Sequence, residues 1–84
     1  MSQIRQYDIL FSSGILPYVE LTQTLNSGAN QLIFTDNRVH QDSVVAVYSD
    51  VFGVDPTDMT VARGTITLTF DTQERDHTIM VRFT

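Results

Sequence analysis

The strictest pattern in the chain lies at its C-terminal end. In "TITLTFD" (65–71), Ile66, Leu68 and Phe70 alternate with Thr65, Thr67 and Thr69. In "HTIMVRFT" (77–84), Ile79, Val81 and Phe83 alternate with Thr78, Met80, Arg82 and Thr84. A period of two sends successive side chains to opposite faces of an extended backbone, so each run reads as a strand with one apolar face. The polar stretch "TQERD" between them reads as a short connection. Together they predict an antiparallel β-hairpin, with Ile66, Leu68, Phe70, Ile79, Val81 and Phe83 buried on one side.

The rest of the chain agrees with strand. Twenty-six of the 84 residues are β-branched, a side-chain shape that suits a pleated surface better than a helix. In "DMTVARGT", Met59 and Val61 alternate, and Arg63-Gly64 forms a tight turn in which glycine supplies a positive φ, pairing this segment with 65–69. "VDPTD" is a turn set by Pro56 and the flanking aspartates, and "NSGAN" (26–30) is another. The latter separates "YVELTQTL", with Val19, Leu21 and Leu25 on one face, from "QLIFTD". "SSG" (12–14) closes a first extended piece around "QYDILF".

One stretch carries two signals. Val44, Val47, Tyr48, Val51 and Phe52 follow helical spacing, with Asp42 or Ser43 as a cap and Gly53 as a stop. The valines, stiff at χ1, favour strand. The expectation is a strand over 43–49 followed by an irregular "DVFGVDP", with a short helix as the alternative. Val45, Val47 and Leu32 or Phe34 then face the six core residues. The predicted fold class is all-β: one domain over 1–84, a small antiparallel β-sandwich of about six to seven short strands with a C-terminal β-hairpin.

Charge and composition exclude several functions. The formal charge is −5, there is no Lys, and the five arginines (5, 38, 63, 75 and 82) are scattered, so the basic face that nucleic acid requires is missing. Apolar runs such as "VVAV" are far too short to cross a bilayer as a helix. "MSQIRQYD" lacks the blocks of a signal peptide. With no Cys, neither disulfides nor thiolate metal sites are available, which for a thin core of this size suggests cytoplasmic synthesis, or support from a partner or an oligomer.

If "FTDNRVHQDSV" (34–44) were extended, Asp36, Arg38, His40 and Asp42 would share a face. Zinc would need both histidines, His40 and His77, with carboxylates such as Asp36 or Asp76. Calcium could draw on Asp36, Asn37 and Asp42, or on Asp50, Asp55 and Asp58, but neither set has EF-hand spacing, and aspartate is the ordinary turn residue. A nucleophile, base and orienter could be drawn from Ser43, His40 and Asp36, yet no catalytic motif surrounds them. The expectation is therefore no enzyme, no metal and no cofactor. The remaining class is interaction. The outward residues Thr65, Thr67, Thr69, Thr78 and Met80, with Thr84, make a flat surface, and Val51 and Phe52 lie in a second one. Tyr7, Tyr18 and Tyr48 are amphipathic anchors.

Residues 32 to 84 also resemble a known group. "TDNRVHQDSVVAVYSD", "GVDPTDMTV", Gly64 with "ITLTF", and the closing "VRF" are similar to small structural proteins, and C-terminal domains of larger ones, from tailed bacteriophages and prophages of Gram-positive bacteria. That resemblance implies a virion component of baseplate, tail-fibre or head-decoration type, made in the host cytoplasm. It implies a homo-oligomer bound to other phage structural proteins and doing no chemistry. A small module binding carbohydrate, such as a host cell-surface saccharide, or protein is the alternative. The resemblance also implies that Asp36, Arg38, His40 and Asp42 belong to a turn and strand edge ordered by local hydrogen bonds.

Overall fold

The computed structural model describes residues 18–51 and 53–84. These hold six strands: β1 (Val19–Leu25), β2 (Gln31–Thr35), β3 (Val45–Ser49), β4 (Asp58–Ala62), β5 (Thr65–Thr69) and β6 (His77–Phe83). They form two three-stranded antiparallel sheets, β1-β6-β3 and β2-β5-β4. The fold is all-β, a small β-sandwich. The extended piece expected around "QYDILF" lies outside the described residues.

The two strictly alternating runs are the central strands, β5 of one sheet and β6 of the other. A central strand must satisfy neighbours on both sides while burying one face, and regular alternation does both. Their inward residues Ile66, Leu68, Ile79, Val81 and Phe83 are all fully buried, as is Phe34 of β2 at 1 % exposure. Phe70, Leu32, Val45 and Val47 complete the expected core, and Val19, Leu21, Met59 and Val61 pack at its margin.

The C-terminal hairpin is corrected. β5 and β6 do not pair; they sit in opposite sheets, and β6 pairs with β1 and β3. Alternation shows which face a strand buries but not which strand lies beside it. Two runs facing one core read alike whether they lie side by side or stack face to face. The connection 70–76 is long enough to cross the ~10 Å between packed sheets. It is tied to the β1–β2 turn, where Gln73 O accepts from Gly28 N at 2.9 Å, Asp76 Oδ1 from Ser27 N at 2.7 Å, and Asn30 O from Phe70 N at 2.7 Å. The hairpin that does form is β4–β5, closed at Arg63-Gly64 with Gly64 at φ +85°.

Residues 45–49 are strand, so the helical alternative is not adopted. Val45 and Val47 point into the core, which a strand here can fill from one edge. The chain then runs irregularly to Pro56, held by the Val54 N–H bonded to Val51 O and by the Thr57 N–H bonded to Thr69 O.

Candidate interaction surfaces

The segment 36–44 joins β2 to β3 through two successive turns rather than an extended run: Val39 N–H bonds Asp36 O, and Ser43 N–H bonds His40 O. Asp36, Arg38, His40 and Asp42 therefore do not share a strand face. Between the turns, Val39 plugs the core with no exposed surface. Asp36 takes the Arg38 guanidinium on both carboxylate oxygens, at 2.8 and 2.7 Å, and accepts the Arg38 N–H at 2.9 Å. The Arg38 side chain, then its backbone N–H, pulls the Asp36 carboxyl from 3.8 down to about 2. Ser43 Oγ accepts from the His40 backbone N–H, not from its ring. With Asp36 engaged by Arg38, the sequential Ser43–His40–Asp36 set is not assembled into a relay.

The two histidines are far apart. His40 lines a cleft of about 640 Å³ with Gln41, Asp42, Ser43, Arg63 and Thr84, beyond the C-terminal end of β6. His77 begins β6, whose seven residues span roughly 20 Å. Its Nδ1 donates to Asp50 Oδ1 at 3.1 Å, and the other Asp50 oxygen accepts the Thr78 N–H at 3.0 Å. The Thr78 backbone bond, followed by the His77 bond, lowers the Asp50 pKa. Among the described residues no three His, Asp or Glu side chains converge as metal ligands.

The expected threonine surface is split. Thr65, Thr67 and Thr69 face out from the β2-β5-β4 sheet, where the register sets Gln31–Thr69–Asp58, Ile33–Thr67–Thr60 and Thr35–Thr65–Ala62 in rows. Thr78 and Met80 face out from the opposite sheet, beside Thr22 and Tyr48. The single face expected of 65–69 and 78–84 therefore becomes two, on opposite sides of the molecule. The reason is the same exchange of hairpin for crossing connection. Val51 is half exposed, at 49 %; Phe52 lies outside the described residues.

Each face has its own chemistry. The β2-β5-β4 face carries Thr35, Thr60, Thr65, Thr67 and Thr69 around Ile33, which is 51 % exposed, and Asp58 is its single charge. Such a surface can donate and accept hydrogen bonds but offers no array of charges. The β1-β6-β3 face is built on Arg82, whose guanidinium lies 4.7 Å from the Tyr18 ring centre and 5.0 Å from that of Tyr48. Its Nε donates to Glu20 Oε1 at 3.0 Å. Beside this stack, Thr22, Tyr48, Ser49, Asp50, Thr78 and Met80 line a shallow, mostly apolar depression of about 260 Å³. Tyr18 and Tyr48 were expected as anchors together with Tyr7, which lies outside the described residues, but the arginine between Tyr18 and Tyr48 was not. Its signal was outward parity on β6, which becomes a contact only once the pairing of β6 with β1 and β3 is known.

No family model matches the chain, and no curated protein or solved structure matches it significantly.

Proposed function

We propose that the chain is a non-enzymatic structural module of a bacteriophage-type virion, of baseplate, tail-fibre or head-decoration kind. In this reading it is made in the host cytoplasm and works through protein–protein contacts with copies of itself and with other virion proteins. The observation that carries the contact role is the outer β2-β5-β4 face: threonine-rich, nearly uncharged, with Thr67 at its centre and Ile33 exposed beside it. A solvated sheet face in an acidic, lysine-free protein would be expected to carry more of the charge. The resemblance of residues 32 to 84 supports the virion setting. Quantitative mass spectrometry of particles purified from the producing strain tests it. The expected result is this protein at a fixed copy number per particle, and its absence from washed particles would overturn the proposal.

A second reading, a saccharide-binding module, draws on the Tyr18–Arg82–Tyr48 stack and the adjoining depression. Aromatic rings beside hydrogen-bonding groups suit sugar rings. Binding of cell-wall polysaccharide that is lost in Tyr48→Ala, with no copy of the protein in particles, would favour it.

A further inference from the structure

Strand β4 closes one side of its sheet, and among the described residues no strand pairs with its outer edge. Natural edge strands are guarded by charged side chains, above all Lys, by Pro, by bulges or by inward-pointing charge. Asp58–Ala62, "DMTVA", has a single charge, Asp58 at its start, with no Lys, Pro or inward-pointing charge, and its residues are exposed or half-buried in alternation. In the other sheet, Val45, Ala46 and Val47 of the end strand β3 are at most 2 % exposed, so that edge is not presented. β1 and β2 lie against each other, with Gln23 Nε2 donating to Ile33 O at 2.8 Å. Among the described residues the β4 edge is the accessible one.

Its hydrogen-bonding phase follows from the hairpin. A two-residue turn makes Ala62 and Thr65 the closing hydrogen-bonded pair. Alternation then turns the main-chain groups of Thr60 and Asp58 towards β5 and those of Met59 and Val61 outward. We propose that β4 pairs antiparallel with β4 of a second copy of this chain, about a twofold axis between the two Thr60 residues, joining the two sheets into one of six strands. This inference rests on the assembly reading above and adds an edge contact to the face contact given there.

The register is self-complementary. With Thr60 opposite its own copy, Met59 lies opposite Val61 of the second copy, and the outward main-chain groups of each meet as hydrogen-bonded pairs. The half-buried Met59 and Val61 side chains then extend the core across the join. Threonines facing each other across strands are a favourable pair. Asp58 falls opposite Ala62 of the second copy, next to Arg63 of that copy. Among the described residues Asp58 and Arg63 have no ion-pair or side-chain hydrogen-bond partner. The axis brings the one acid and the neighbouring cation of this edge together twice and keeps like charges apart. A five-residue strand pair is small beside the roughly 1,200–2,000 Å² of stable interfaces, so the dimer is expected to be weak in isolation and reinforced by multivalency in an assembly.

Sedimentation equilibrium of the full chain from about 5 to about 500 µM tests this, a range suited to a small interface. The expected result is a reversible dimer. Val61→Pro removes a donor that β5 does not use, as edge strands tolerate, and is expected to be monomeric with an unchanged circular dichroism spectrum. Thr60→Arg sets two arginines together on the axis and should also be monomeric; it decides the matter if the proline variant fails to fold. Asp58→Arg and Arg63→Asp should each weaken the dimer about tenfold, and the double exchange should restore it. A wild-type chain that stays monomeric throughout would overturn the proposal. So would a dimer unmoved by Thr60→Arg and Val61→Pro, although that result leaves assembly through another surface intact.

Discussion

Asp36 binds Arg38 through both carboxylate oxygens, and that pairing shapes how the 36–44 connection responds to acid. Its pKa is about 2 in the folded chain against 3.8 ordinarily. The folded state therefore favours the ionised form, so the stabilisation is complete above about pH 4 and fades as pH falls towards 2. Asp50, lowered by the Thr78 N–H and then by His77, acts in the same direction. The melting temperature should fall in this window, and Asp36→Asn should be less stable at neutral pH and flatter below pH 4. A carboxyl-carbon NMR titration of Asp36 with its midpoint near 4 would contradict the pairing. Phe70, 3 % exposed, lies where β5 leaves its sheet. Phe70→Ala should cost about 3–5 kcal/mol, read by urea unfolding, a large share of a small domain's stability. Individual burial of this kind was legible in the sequence, because Ile66, Leu68, Phe70, Ile79, Val81 and Phe83 follow a period that admits one inward face. The Asp36 turn was legible only as an implication of the resemblance. Its residues fit an extended face equally well until Val39, seated in the core, forces the chain to double back.

For the strands, partner choice was hidden where face was plain. β4–β5 was readable because Arg63-Gly64 is too short to do anything but turn, whereas "TQERD" is consistent with either a hairpin or a crossing. What decides between them is non-local: the Gly28–Gln73 and Ser27–Asp76 bonds that hold the crossing against the β1–β2 turn. Engineered disulfides test the arrangement in a chain with no native cysteine. Thr22 and Met80 are register partners on β1 and β6. They are a non-hydrogen-bonded pair with closely spaced Cα atoms, so Thr22→Cys/Met80→Cys should oxidise readily. Thr69→Cys/Thr78→Cys, which a C-terminal hairpin would bring together, should stay reduced under the same conditions. The opposite outcome would restore the hairpin and overturn the two-sheet topology. The same non-local pairing explains why the Tyr18–Arg82–Tyr48 stack escaped sequence reasoning, since its members come from three segments united by β6.

For the molecule as a whole, dividing the threonines between two outer surfaces leaves one chemically mixed and one plain. The β1-β6-β3 side has charge, aromatic rings and a depression, and the β2-β5-β4 side has hydroxyls around one isoleucine. If the plain side is the assembly contact, its central residue is Thr67, flanked by Ile33 and Thr60. Thr67 is outward-facing, so Thr67→Arg should change stability by no more than about 0.5 kcal/mol while placing a long cation in the middle of the contact. The decisive measurement is the copy number of Thr67→Arg protein in purified particles, counted against wild type by quantitative mass spectrometry. The expected result is a fall to background with soluble, folded variant left in the lysate. Incorporation at the wild-type copy number would contradict the role assigned to this face.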